Sequence, residues 1–336
     1  MDMQTFWQKY DCQRTKSLDQ HGQGSIYPAI DKESGAEVAI KVAEIHPNFD
    51  NNGAWGIAYQ SAISHLKHPY LVPYKATYRW ELDNWVHYSV VMPIYPLGSI
   101  LNFNPSQDWT AKQKHDTFLA IAEALGYLHD NGYYMQNLHA GHVLITQEEE
   151  DKFIPHLINY AQKDKKPLAF IHNYEYLAPE QFAADYTPNA QTDIWALGVL
   201  GYWMWTEQLP FGKKSTTVPN RMIQSRILED EIPELLERVP LPYKTIIQRC
   251  LEKDPAYRWN SIHELLHQYP STLPEAISDK FMPQIEYEKR VALAEEYKKP
   301  LWQRTFKRVP SKPISILKVI VLLILAIALG SLLNKL

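Results

Sequence analysis

The chain has 336 residues, with 34 Lys and Arg against 38 Asp and Glu, which gives a formal net charge of −4. This length suits about two domains, and the acidic balance excludes a basic protein built to coat nucleic acid, so no nucleic-acid partner is expected. Cys12 and Cys250 are the only two cysteines, too few for a disulfide framework and typical of a reducing compartment.

The N-terminal part, from about residue 15 to residue 95, has the pattern of short strands. Residues 37–42 alternate in character, which favours a half-buried strand. Residues 78–92 form a predicted β-hairpin that turns at Asp83 and Asn84, residue types that tolerate the positive φ of a two-residue turn. This part is therefore predicted to be rich in β-structure.

The next part, from about residue 96 to residue 270, is predicted to be mostly helical, with breaks at proline-containing turns. Residues 271–313 have the character of a linker, with one predicted helix at about 285–297. The linker becomes basic near its end. From Lys298 to the last residue there are eight Lys and Arg and no acidic residue, so the 26 basic and 38 acidic residues before it leave a net charge of −12.

Residues 314–333 form an apolar stretch whose exceptions are Ser315, Lys318, Gly330 and Ser331. A helix of 20 residues is about 30 Å long, which matches the hydrocarbon core of a bilayer. A buried or amphipathic surface helix is the alternative, disfavoured because residues 319–329 present no polar face. Since six basic residues precede the span and one follows it, the positive-inside rule predicts a single-pass membrane protein whose large N-terminal part faces the cytoplasm.

Four segments resemble motifs of the protein kinase family, at residues 38–41 (VAIK), 127–138 (YLHDNGYYMQNL), 175–180 (EYLAPE) and 193–198 (DIWALG). The resemblance covers about residues 15–270. It implies an α+β, two-lobed fold, with a small β-rich lobe at about 15–95 and a helical lobe at about 96–270. The predicted transmembrane helix would follow this domain.

The resemblance also implies that the catalytic residues are lost. Asn137 and Asn159 stand where the family carries two aspartates, one that accepts the proton of the substrate hydroxyl and one that holds magnesium on the phosphates. An amide is no base, and its carbonyl is a weak ligand for a hard dication. His142 replaces the asparagine that would bind a second magnesium, so no intact catalytic residue is expected.

Two further positions depart from the family pattern. His139 replaces a lysine near the transferred phosphate, and a metal site at His139 and His142 is disfavoured because no third ligand beyond His156 is apparent. Gln136 replaces the arginine that commonly receives an activating phosphate, and residues 162–177 contain no Ser or Thr. Conventional activation by phosphorylation is therefore not expected.

The residues that the resemblance assigns to a nucleotide site are Lys41, Ile26, Ala39, Met92, Tyr95 and Leu144. The half of the site that would hold phosphates is poor. Asp19 and His21 stand where glycines would let backbone N–H groups approach an anion. Tyr59 stands where a glutamate would orient Lys41. The resemblance implies at most weak nucleotide binding. No cofactor is expected to be required, and binding of ATP without magnesium remains open.

Other family residues, which hold the fold, are present. Glu180 and Arg258 are expected to form a buried ion pair, and Asp193 is expected to tie down the catalytic loop. The apolar column that joins the two lobes of a kinase corresponds to Tyr74, Ile63, Tyr160 and Met135.

Two functions remain open. The first is a membrane-anchored pseudokinase that acts as a binding and regulatory scaffold, with a cytoplasmic or membrane protein as its partner and the lipid bilayer as its anchor site. The second is an atypical active protein kinase that uses relocated acidic residues, with Asp164 or residues 148–151 as the nearest candidates. A run of acidic residues in a loop is more often a solvated surface, which favours the scaffold.

Overall fold

The computed structural model describes residues 3–12, 18–21, 24–45, 62–149, 152–160, 173–274 and 277. By its internal contacts the chain divides into two units, residues 1–295 and residues 296–336, and every described residue belongs to the first. The predicted transmembrane segment and the predicted helix of the linker lie outside the described residues. Within the part that is described, no helix is both long enough and apolar enough to span a membrane.

The N-terminal part forms a six-stranded antiparallel sheet, as the strand pattern predicts. Its strands are β1 (Tyr10–Cys12), β2 (Asp19–His21), β3 (Gly24–Asp31), β4 (Glu37–Ile45), β5 (Ala76–Leu82) and β6 (Trp85–Pro93). The order is β1-β3-β4-β6-β5, and β2 pairs with the other end of β3. Because β4 lies between β3 and β6, Lys41 stands opposite Ile26 on one side and Val90 on the other.

The hairpin of β5 and β6 turns at Asp83 and Asn84, as the sequence predicts. Their φ angles are 51° and 62°. Two successive residues with positive φ form the tight turn whose twist matches that of the flanking strands, and Asp and Asn adopt it at low steric cost. The turn sets the register, which places Leu82 opposite Trp85.

A short helix, α1 (Met3–Lys9), precedes β1 and was not anticipated from the sequence. Phe6 of this helix is fully buried, with its ring centroid 5.0 Å from that of Tyr78 and 5.1 Å from that of Trp80. The aromatic cluster around Phe6 also takes in Val38 and Ile40, whereas the residue between them belongs to the main core. The alternation of side chains along β4 therefore supplies two separate cores.

The C-terminal part is helical, with a β-hairpin near its start. Its helices are α2 (Pro105–Asp108), α3 (Ala111–Asp130), α4 (Ala190–Thr206), α5 (Asn220–Glu229), α6 (Tyr243–Cys250) and α7 (Ile262–Gln268). The hairpin consists of β7 (Val143–Glu149) and β8 (Lys152–Leu157). The observed architecture is the α+β arrangement predicted from the sequence, a β-rich part followed by a helical part.

Helix α4 forms the centre of the helical part because it is apolar on nearly all sides. The side chain of Asn189 caps its first turn by accepting from the N–H of Thr192. Most of its residues are buried. At Gly198 an added Cβ would lie 2.5 Å from the Cβ of Cys250, so glycine permits α4 and α6 to approach each other closely. Helix α4 also carries Asp193, whose side chain bonds to the backbone of Met135 and Gln136.

Candidate functional site

The residues predicted to surround a nucleotide ring lie on strands of the sheet and at the start of the helical part. Ala39 on β4 and Met92 on β6 are buried and stand opposite each other in register. Ile26 on β3, Leu144 on β7 and Tyr95 are partly buried and pack against the same hydrophobic cluster. Five of the six predicted residues therefore belong to the main hydrophobic core or pack against it.

Tyr95 follows the end of β6. Its backbone carbonyl accepts from the N–H of Gly98 at 3.0 Å, which makes a tight turn. Its ring lies 5.1 Å from that of His156 on β8. Burial raises the pKa of the Tyr95 hydroxyl and lowers the pKa of the His156 imidazole, so both side chains are neutral near pH 7.

Lys41, the sixth predicted residue of the nucleotide site, makes a hydrogen bond with the segment that follows β8. Its Nζ donates to Oδ1 of Asn159 at 2.6 Å, across 118 positions of sequence. The amide oxygen is neutral, so this contact joins a charge to a dipole and is no ion pair. The family pattern places the partner of Lys41 at position 59, and Tyr59 lies outside the described residues. The contact with Asn159 is not predicted by that pattern.

Asp193 fixes the loop that contains Asn137. The Asp193 side chain is fully buried on the first turn of α4. Its two oxygens accept from the backbone N–H groups of Met135 and Gln136, each at 2.7 Å, and one of them also lies 3.0 Å from Nε2 of His129. A carboxylate that receives several donors at a helix N-terminus is well stabilised there. These bonds hold the backbone of the loop at Met135 and Gln136.

The side chains of this loop are packed closely together. Asn137 is 7% exposed, and its Oδ1 has no hydrogen-bond partner among the described residues. The rings of His139 and His142 lie 3.7 Å apart. Nδ1 of His142 is 2.9 Å from the carbonyl of Asn137 and must carry a proton, whereas Nδ1 of His139 accepts from the N–H of Gly141.

No group of three or more metal-binding side chains occurs in the described part of the chain. His139 and His142 each engage a ring nitrogen with the loop backbone, so the pair acts as packing and as a backbone support in this structure. The loop contains the Asn137 amide and the two histidines. The hydrogen bonds of His139 and His142 to the backbone set the tautomer of each ring.

Glu180 and Arg258 form an ion pair in the helical part. Arg258 is fully buried and donates to both carboxylate oxygens of Glu180, at 2.7 and 3.2 Å. It also donates to the backbone carbonyls of Gln191, Glu252 and Lys253. All three guanidinium nitrogens therefore donate hydrogen bonds. These bonds offset the free-energy cost of burying the charge.

A cavity of about 420 Å³ opens beside His139. Its lining includes aromatic, aliphatic and acidic side chains, among them Leu101, Tyr176, Trp203, Leu209, Glu175 and Glu207. Glu175 is largely buried and accepts from the N–H of Lys214 at 2.7 Å. The cavity is large enough to receive one side chain of another molecule.

The chain matches known proteins along this same region. A family model for the protein kinase domain matches residues 13–269. A probable serine/threonine-protein kinase of Clostridium acetobutylicum is 22% identical over 269 residues, which are 77% of this chain and 39% of that protein. A cAMP-dependent protein kinase, catalytic subunit-like, of Caenorhabditis elegans is 26% identical over 70% of this chain and 57% of its own length.

Serine/threonine-protein kinase 10 of Rattus norvegicus is 24% identical over 74% of this chain and 26% of its own length. The similarity therefore spans less than two thirds of each of these relatives. The family model, in contrast, matches most of this chain, and the two parts of the structure have the arrangement that the family implies. The chain belongs to the protein kinase family.

Proposed function

We propose that this protein is a membrane-anchored pseudokinase, a binding and regulatory scaffold that transfers no phosphate. The observation that carries the proposal is the pair of amides at Asn137 and Asn159. A kinase uses a carboxylate at the first position to orient and deprotonate the hydroxyl, and one at the second to bind magnesium. Here the first position has a carboxamide without basic character, and the second is bonded to Lys41.

The contact between Lys41 and Asn159 bears on nucleotide binding as well. In a kinase this lysine neutralises phosphate oxygens, and the neighbouring carboxylate binds the metal that bridges them. A phosphate group would have to compete with Asn159 for the ammonium, without a magnesium ion to assist it. We infer weak, magnesium-independent binding of ATP at most, on the apolar surface around Ala39 and Met92.

The alternative, an active kinase with relocated acids, has less support. Glu148 lies at the exposed end of the β7–β8 hairpin, where it pairs with Lys152 at 2.8 Å. An exposed pair of this kind is typical of a solvated turn. Asp164, the other candidate, lies outside the described residues.

For the scaffold role, we propose that a cytoplasmic or membrane protein binds the helical part, with the cavity beside His139 as a contact site. The anchor is proposed at residues 314–333 on the length and apolar character of that segment. A single span with basic residues before it would hold the domain at the cytoplasmic face of a membrane.

The test is transfer of labelled γ-phosphate from Mg-ATP by the full chain in detergent, to itself and to a generic protein substrate. We expect no transfer above that of the Lys41→Ala variant, which serves as the matched control. Transfer by the wild-type chain that disappears in Lys41→Ala would refute the proposal and favour the active kinase.

A further inference from the structure

Two tyrosine hydroxyls join the segment after β8 to the loop before β5. The backbone N–H of Asn159 donates to the hydroxyl of Tyr74 at 2.8 Å, and the hydroxyl of Tyr160 donates to the carbonyl of Val72 at 2.7 Å. The two rings stack, with centroids 5.0 Å apart and planes inclined by 26°. The contacts are reciprocal, since each segment supplies one hydroxyl and one backbone group.

The backbones of the two segments are also paired. Val72 donates its N–H to the carbonyl of Leu157 at 2.9 Å, and Leu157 donates to the carbonyl of Tyr70 at 2.8 Å. Leu71 and Leu157 form an isolated parallel bridge. The tyrosine contacts thus continue the backbone pairing of the two segments by two residues. They reach Asn159, the residue that accepts the hydrogen bond from Lys41.

Both tyrosines are buried, so loss of either hydroxyl contact would destabilise the segment. Tyr160 is 1% exposed and Tyr74 is 7% exposed. If either hydroxyl were removed, a backbone group in a water-poor site would lose its partner, and such groups are costly to leave unpaired. Asn159 has a φ of 66°, in the left-handed region. Asn adopts this region more readily than most residues, but the conformation still has to be held by contacts.

We propose that Tyr74 and Tyr160 form a latch that holds residues 158–160 against the loop at 70–74 without nucleotide or magnesium. Every donor and acceptor in the set comes from this chain: two hydroxyls, backbone groups, the Asn159 amide and the Lys41 ammonium. No bound nucleotide or metal ion is needed to complete it. Residues 158–160 therefore keep this arrangement whether or not a ligand is present.

The latch does not rest on the proposed function, because a chain with residual phosphoryl transfer could carry it too. A binding surface that adjoins residues 158–160 would be presented constantly, and nucleotide could not regulate it through this segment.

Hydrogen exchange of the Asn159 backbone amide in the full chain, measured at residue resolution, tests the proposal. Tyr74→Phe keeps the stacked ring and deletes the acceptor of that N–H, so we expect exchange about fivefold faster, the effect of losing one ordinary hydrogen bond. Tyr160→Phe should also accelerate it, by leaving the Val72 carbonyl unpaired. Tyr257→Phe is the matched control, since Tyr257 is 70% exposed.

Three results would overturn the proposal. The first is equal protection of the Asn159 amide in Tyr74→Phe and Tyr257→Phe. The second is an equal acceleration at Val199, buried in α4, because the substitution would then act on the whole fold. The third is a marked slowing of exchange in the wild-type chain when Mg-ATP is added, because the segment would then depend on the ligand. We expect unchanged exchange at Val199 and no effect of Mg-ATP.

Discussion

Replacement of Arg258 by alanine should strongly destabilise the fold. The substitution removes a bidentate contact with Glu180 and hydrogen bonds to three backbone carbonyls. Loss of one partner of a buried pair costs roughly 3–5 kcal/mol, because the other charge is left without compensation. Glu180 retains 18% side-chain exposure, so water can reach it and the lower value, about 3 kcal/mol, is expected.

For a domain of this size, about 3 kcal/mol corresponds to a fall of roughly 6–12 °C in Tm. The assay is thermal unfolding of the full chain in detergent, followed by circular dichroism. Arg221→Ala, at an exposed position of α5, removes the same charge and should change Tm little. Asn137→Ala should also have a small effect, since the Asn137 amide oxygen has no described partner. Equal, small shifts in all three variants would refute the reasoning about the buried pair.

Two further predictions concern pH and the proposed anchor. Burial lowers the pKa of His115 below its usual value of 6.5, so the fold favours the neutral form. The contribution of His115 to stability should be constant above about pH 6.5 and should fall as the pH is lowered towards the folded-state pKa. His115→Gln should therefore show a smaller loss of Tm between pH 7 and pH 5 than the wild type, and an identical loss would contradict the assignment. Truncation after Pro313 should release the protein from membranes, and a truncated chain that still sediments with membranes after a high-salt wash would place the anchor elsewhere.

The strands and the structural residues could be predicted because local patterns specify them. The hairpin at Asp83 and Asn84 follows from a two-residue turn between strand-forming stretches, which is a short-range signal. The placements of Asp193 and Arg258 follow from family motifs, and the structure brings each to the partner that those motifs imply. In these cases the sequence near the residue, or the motif that contains it, carries the necessary information.

Contacts between distant segments could not be predicted in the same way. The bond from Lys41 to Asn159 and the hydroxyl contacts of Tyr74 and Tyr160 depend on the angle at which two segments meet, and no periodicity encodes that angle. Helix α1 was missed because seven residues are too few for a periodic signal. The helix is held by Phe6 in a cluster whose other members lie up to 85 positions away.

In the proposed pseudokinase, the loss of catalysis need not destabilise the residues around the cleft, and the reason is electrostatic. Two neighbouring carboxylates in a kinase cleft repel each other, and binding of magnesium relieves that repulsion. With amides at Asn137 and Asn159 the cleft has no such repulsion, and Lys41 can bond directly to Asn159. Under the proposed function, the absence of both acids would abolish catalysis and would also remove the need for a metal to hold the two segments together. A segment that is held in place without a ligand would be a disadvantage for an enzyme that must bind and release nucleotide, and an advantage for a scaffold that presents a constant surface to a partner.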